Sequence, residues 1–452
     1  MVFAFCLGGG RAGLAQEYAT PVEQAVPVVP PENQVPLPVA PEPAEQTDEM
    51  NLRDQQLMEP ENTQDTVPTD TTQQGYVFKK WRIIPYGSVQ MTSDDNIFIS
   101  AHNPKADVYF NLAAGVAVGW GAVQSNLTQS TGYFRQADTP KVETNPSEQG
   151  SFLYANYSGG ETMYVHNSSQ NSFNQDAGVA GQWIFGKSLF GANLRYQSLT
   201  SINIDVGGLV HDDITTAAAT FRHSISDKTS IGADFSSVTN AYTTETALGS
   251  TDSSIQALLN YQATGKLSIG PGFKVGDLAV EKSPSHIYEQ ILLRGVYVAT
   301  GKLTFAASGG LQANQINSYD YYDPVFTLDG VYTPSDQTTI SLDAFRQTFS
   351  SASTAGEDID TTAIGFKIRQ RCFEKMYLAL GGGYQNGKYI EVVQTSQSGR
   401  TDNSLDFQAS ISFDLTDRLT MQLAYEYRDN LSTEADAAFK QSLITLELDL
   451  VF

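Results

Sequence analysis

The chain has 452 residues and a formal net charge of −23, from 50 Asp and Glu against 27 Lys and Arg. So acidic a chain lacks the basic footprint that a nucleic-acid partner requires. No stretch approaches the roughly 20 apolar residues of a membrane-spanning helix, and two cysteines, Cys6 and Cys372, exclude a disulfide framework or a cysteine-rich metal site.

Residues 1–15 read as the end of a secretory signal. Phe3 to Leu7 are apolar, and Gly13-Leu14-Ala15 is a small-x-small cleavage site before Gln16. A charged leading segment is missing, so the predicted signal is truncated. Residues 16–75 hold ten of the eighteen prolines and twelve acids against one base, Arg53. Such a stretch buries too little apolar surface to offset its ordering entropy, and it is expected to be a disordered periplasmic linker.

From Trp81 onward the hydrophobic period is two. Ile84-Pro85-Tyr86-Gly87-Ser88-Val89 is followed by Asp94-Asp95-Asn96-Ile97-Phe98, then by Ala106-Asp107-Val108-Tyr109-Phe110-Asn111-Leu112-Ala113-Ala114-Gly115-Val116. These three segments resemble the opening of the family called beta-barrel porin 2, in which a first strand leads through an Asp-Asn-Ile-Phe-like loop into a second strand ending in Gly-Val. The resemblance implies an outer-membrane pore with an exopolysaccharide or capsule connection. It brings no catalytic residues. Residues 121–150 depart from the pattern, since parity makes them a periplasmic turn, yet they are about ten times longer than the usual two or three residues.

Further along, short turns recur at Gly186-Lys187, Asp227-Lys228, Gly265-Lys266, Gly301-Lys302, Pro334 to Gln337, Phe373 to Lys375 and Asp417-Arg418. Between them lie longer polar segments: Thr200 to His211, Thr243 to Thr251, Glu281 to Ser285, Asn317 to Tyr322, Ser350 to Glu357 and Gly387 to Arg400. Short turns on one rim and long loops on the other are the asymmetry of outer-membrane barrels. Two long strands per repeat, rather than four short ones, argue against a propeller. Residues 76–452 are therefore predicted to be an all-β, transmembrane, antiparallel up-and-down β-barrel of about 18 strands, with 16 left open. Trp183, Phe185, Tyr261, Tyr297, Tyr332, Phe373 and Phe413 precede the short turns, as one interfacial aromatic girdle would.

Alternation sends Arg195, Arg222, Asp234, Arg294, Asp329, Asp343, Lys367, Arg369, Glu426, Arg428, Glu447 and Asp449 to the inner face. An Arg or Lys facing lipid at mid-depth costs about 2–4 kcal/mol, so these residues predict a hydrated lumen. Side chains alone leave an aqueous channel in a barrel of this size, and the alternative is that these charges pair across strands and fill or plug the lumen.

The last strand is the clearest. Ile444, Leu446, Leu448, Leu450 and Phe452 share one face, and Thr445, Glu447 and Asp449 share the other. A terminal aromatic on such a strand resembles the closing strand of Gram-negative outer-membrane barrels, where it is the assembly signal. The resemblance implies that Phe452 is read by barrel-assembly machinery.

No nucleophile elbow, phosphate-binding loop or His-Glu-x-x-His occurs. His211-Asp212-Asp213 is read as a solvated loop tip rather than a cation site. Neither enzymatic activity, nor a metal, nor a cofactor is expected. The expected role is a passive channel for polar solutes in the Gram-negative outer membrane. Polysaccharide export with periplasmic partners and an adhesive surface barrel are the alternatives.

Overall fold

The computed structural model describes residues 75–121, 151–244, 247–284, 286–316, 319–391 and 399–452. The predicted signal, the linker and nearly all of the 121–150 departure lie outside them.

Nineteen strands form one sheet. They are β1 (Tyr76–Phe78), β2 (Trp81–Asp94), β3 (Asp107–Gly121), β4 (Phe152–Tyr164), β5 (Ser172–Phe185), β6 (Ser188–Asn203), β7 (Gly208–Ser226), β8 (Thr229–Tyr242), β9 (Ser250–Gln262) and β10 (Leu267–Val280). There follow β11 (His286–Thr300), β12 (Leu303–Ile316), β13 (Tyr319–Ser335), β14 (Thr338–Ser350), β15 (Glu357–Phe373), β16 (Met376–Glu391), β17 (Thr401–Thr416), β18 (Leu419–Ser432) and β19 (Phe439–Val451). Each strand from β2 onward pairs antiparallel with the next, and β19 pairs with β2 from Leu443–Asp94 to Val451–Tyr86. β2 to β19 therefore make a closed barrel of eighteen strands, and sixteen is excluded.

Closure leaves no open edge, so every wall strand can satisfy its backbone without water. At the seam, Thr92 and Thr445 meet through their hydroxyls at 3.1 Å, although 353 residues separate them in sequence. Phe452 adds a last bond, its N–H donating to the Pro85 carbonyl at 3.0 Å. Below that point β1 continues the wall by pairing Tyr76 with Ile83 and Phe78 with Trp81.

The two-residue side-chain period sets the two faces of the wall. On β19, Ile444 is 54% exposed and Leu446 42%, whereas Glu447 and Asp449 are 3% and 2% exposed. The exposed face is lipid-facing, because leucine and isoleucine in a continuous outer band would otherwise stand in water. Of the predicted girdle, Trp183, Phe185, Tyr261, Tyr297, Tyr332 and Phe373 are exposed on that outer face beside the short turns and Phe413 is half-exposed, and Phe452 joins them.

One rim carries the short connections 186–187, 227–228, 301–302, 336–337, 374–375 and 417–418. The opposite rim carries the longer ones, including 95–106, 165–171, 243–249, 351–356 and 433–438. The asymmetry matches the sequence reading except at Asn317 to Tyr322, where β13 already starts at Tyr319 and pairs back onto β12, and at Thr200 to His211. There β6 and β7 run on to a four-residue turn, 204–207.

Candidate functional site: the lumen and its constriction

The inner wall divides into a buried, paired part and a more exposed, watered part whose charges also have partners. In the paired part, Arg195 of β6 is ion-paired with Asp176 of β5. Arg222 of β7 grips Asp234 of β8 through Nη1–Oδ1 at 2.6 Å and Nη2–Oδ2 at 2.9 Å, and Thr220 donates to the same carboxylate at 2.9 Å. Arg428 is ion-paired with Glu426 and reaches Gln441 at 3.3 Å, and Gln441 in turn donates to Asp94 at 2.7 Å. Tyr288 of β11 lies over Gly276 of β10 and donates its hydroxyl to Asp252 of β9 at 2.8 Å. Arg294, Asp329, Glu447 and Asp449 are buried in the same inner face, and the Arg369 guanidinium stacks 4.6 Å from the Tyr377 ring centroid. Burial of so many charges is tolerable only because they meet partners.

The watered part runs along β14 to β17. Asp343 is exposed and Lys367 half-exposed, and both are inward by register. One row of paired positions crosses four strands as Asp343, Gly365, Gly383 and Asp406. Asp343 leans over Gly365, where a Cβ would stand 2.7 Å from its Oδ1, and Asp406 leans over Gly383 in the same way. The two side-chain-free positions are what let both carboxylates lie flat against the wall there. Gln408, Ser410, Ser412 and Asp414 continue the half-exposed strip along β17. Asp406 and Asp414 were not among the charges singled out from the sequence. The run Gly381-Gly382-Gly383 was the signal that could have pointed to them, since three consecutive glycines in a long strand mark a thinned wall.

At the loop rim the bore is crossed. The β5–β6 ladder stops at Gln175–Ser198, and the β7–β8 ladder stops at Asp212–Tyr242. Beyond those points the β6–β7 tip leaves the wall, and Thr200 N–H bonds the side chain of Asn174 on β5 at 2.9 Å instead of a backbone carbonyl. The β13–β14 ladder likewise stops at Phe326–Arg346, so the β14–β15 tip also turns inward. Its outer face then meets the inner face of the wall: Tyr321 donates to Asp358 at 2.7 Å and His286 lies 4.0 Å from Asp358, while Arg346 is ion-paired with Asp360 across the hairpin itself. Within both tips nearly every residue on either face is buried or half-buried, with Gly207 the one exposed position.

The two tips meet at Asp205. Its Oδ2 accepts from Ser351 Oγ at 2.9 Å, Ala352 N–H at 2.5 Å and Ser353 N–H at 3.0 Å, and its Oδ1 accepts from Ser353 Oγ at 2.8 Å. Arg400, before β17, stands 3.8 Å from Asp205 Oδ1 and donates to the Asp205 and Ile204 carbonyls at 3.2 Å each. Asp402, at 2.7 Å, and the Tyr389 ring, at 4.5 Å, hold that guanidinium. Around the circumference, the 204–207 turn lies eight strands from the 351–356 loop in one direction and eight from the β16–β17 connection in the other. Strands about 4.8 Å apart and tilted put opposite walls of such a barrel roughly 30 Å or more apart. Six extended residues of one tip reach roughly 20 Å and four of the other roughly 13 Å, so together they match the bore.

Two further contacts seat the crossing. Leu248 N–H bonds the Ala352 carbonyl at 2.8 Å. Ile99, Ile204 and Phe439 form a buried cluster against Ile202. Ile99 belongs to the loop that starts with the Asp94-Asp95-Asn96-Ile97-Phe98 segment. Asn96 pins that loop, donating to the Ser100 and Lys440 carbonyls at 3.1 and 3.0 Å and accepting from Ser100 N–H at 2.9 Å. His211-Asp212-Asp213 proves to be strand rather than loop tip. Asp212 is buried, while Asp213 lies on the opposite face and accepts from Tyr196, so the pair does not converge on a cation.

No protein-family model matches the chain, and no curated protein sequence matches it. Solved structures similar to it include the outer membrane protein OpdK of Pseudomonas aeruginosa, at 11% identity and a TM-score of 0.40, covering 82% of this chain and 99% of that one. OccK2 (OpdF) of the same organism is similar at 8% identity and a TM-score of 0.44, covering 84% and 100%. OccAB3 of Acinetobacter baumannii is similar at 10% identity and a TM-score of 0.44, covering 83% and 100%.

Proposed function

We propose that the protein is a porin-like outer-membrane channel that passes small polar solutes by diffusion, without energy coupling or catalysis. The observation that carries the reading is a closed eighteen-strand barrel with an apolar exterior whose inner wall leaves charged side chains exposed or half-exposed along β14 to β17. Solutes meet Asp343, Lys367, Asp406 and Asp414 on that strip. The Arg195–Asp176 and Arg222–Asp234 pairs hold the wall together and stand apart from the path. Three acids, Asp343, Asp406 and Asp414, stand on it against two exposed or half-exposed bases, Lys367 and Arg371, so small cations are favoured modestly over anions.

The partners are outer-membrane lipid on the apolar face and assembly machinery that reads β19 and Phe452. The beta-barrel porin 2 resemblance of residues 84–116 supports the same reading, and a link to polysaccharide export would rest on that resemblance alone. Refolded protein in a planar bilayer is expected to give ion-conducting steps with a mild cation preference. A detergent-solubilised, correctly folded barrel that never conducts would overturn the channel and leave a structural or adhesive barrel.

A further inference from the structure

The contact across the bore has the form of a ligand in a binding site. Two backbone N–H groups, two hydroxyls and a guanidinium converge on one carboxylate, and both of its oxygens are engaged. Successive backbone N–H groups aimed at one point make an anion cradle, and charge-assisted bonds are the strongest the chain can offer it. The carboxylate arrives on a tip that has left both neighbouring ladders. Its withdrawal therefore breaks no rung between that hairpin and the wall. What else holds the tip is the small Ile99, Ile204, Phe439 cluster, the two Arg400 bonds to its carbonyls and, nearer the wall, single bonds from Thr200 to Asn174, from Asn203 to Tyr242 and between His211 and Thr243 and Thr244. A vacated cradle would leave the buried Ala352 N–H to find a new acceptor, while Ser353 N–H keeps Ser351 Oγ at 3.1 Å and Arg400 keeps Asp402, so the empty site is unfavourable unless another oxyanion takes the place.

Resting on the channel reading above, we infer that Ser351, Ala352, Ser353 and Arg400 form an oxyanion site that Asp205 occupies as a tethered ligand, and that a small carboxylate competing for this site releases the β6–β7 tip and opens the bore. The tether gives Asp205 an effective concentration in the millimolar range, so a free carboxylate must reach millimolar levels to compete. Asp402 already neutralises part of the Arg400 charge, which keeps the exchange weak and fast.

The test is single-channel recording on the refolded full-length chain, with sodium acetate replacing sodium chloride at constant ionic strength. Acetate is expected to raise the open probability of the wild-type channel. D205A is expected to be open at least about tenfold more often without acetate, since several hydrogen bonds to a charge are lost, and to ignore acetate. D205N, of equal size, is expected to fall between the two. Equal gating in wild type and D205A, or an equal acetate response in both, overturns the latch while leaving the channel intact. The wild-type titration needs no variant to fold, and a wild-type channel indifferent to acetate also overturns it. If even a variant with Ser201–Val210 replaced by an Asn-Gly turn passes no current, the channel reading fails and the latch with it.

Discussion

The wall and the inturned tips are built of the same material, alternating antiparallel strand, and they use it in opposite ways. On the wall, alternation separates two solvents: β19 shows Ile444 and Leu446 to lipid and keeps Glu447 and Asp449 inside. On the tips there is one environment for both faces, so Asn203, Ile204 and Asp205 are buried in succession. The wall gets its stability from an unbroken ring of backbone bonds and needs few side-chain contacts across the bore. The tips have given up ladder bonds on one or both sides and depend on side-chain bonds such as those to Asp205 and Asp358. Damage to the wall should therefore cost the fold, and damage to the tips should cost only what the tips control.

The sharpest test of that division is R222A. It strands the Asp234 carboxylate in the paired part of the wall and is expected to destabilise the barrel by about 3–5 kcal/mol, read from urea unfolding of refolded protein. A loss below about 1 kcal/mol, the value for an exposed pair, would show that lumen water already serves Asp234. Next, L446R places a charge on the lipid face and is expected to cost about 2–4 kcal/mol in the same assay, whereas a substitution of the inward neighbour Thr445 to Ser should cost far less. Excising a tip should show the other behaviour. With Ser201–Val210 replaced by Asn-Gly, which suits a two-residue hairpin turn, the unfolding free energy is expected to stay within about 1 kcal/mol of wild type, since no rung to β5 or β8 is removed, while conductance rises. Coupled loss of stability would mean that the tips brace the wall. The smallest effects belong to the watered strip. D343N and K367Q are expected to leave stability unchanged and to move the reversal potential in a salt gradient in opposite directions, each by less than about twofold in permeability ratio.

The wall was legible in the sequence because a membrane barrel imposes two solvents on one strand, and a period of two is the direct imprint of that constraint. The short turns carried local signals, such as Gly186-Lys187, where Gly186 adopts a φ of 61°. The tips were not legible for the same physical reason. Residues 200–211 are polar enough to pass for a wet loop, and nothing in alternation says whether a polar residue meets water or a partner. The one hint was the spacing of Ile202, Ile204 and Val206, which put three apolar side chains where a solvated loop has no use for them. Asp205 itself gave no signal, because an aspartate near a glycine pair is what any surface turn contains. The division of the lumen was hidden too. Arg195 and Lys367 look equivalent in sequence, and only the structure reveals that one, opposite Gly178, reaches diagonally to Asp176 while the other stands opposite Gly381.

The seam has a kinetic meaning. All other rungs of the wall join strands that are adjacent in the chain, so they can zip locally and early, whereas Leu443 to Val451 must find Asp94 to Tyr86 across most of the polypeptide. Until they do, the growing ribbon carries two unsatisfied margins, each able to recruit a stranger's strand. The protein is thus most vulnerable one step before completion, and a chaperone that shelters either margin would protect both the newcomer and its neighbours.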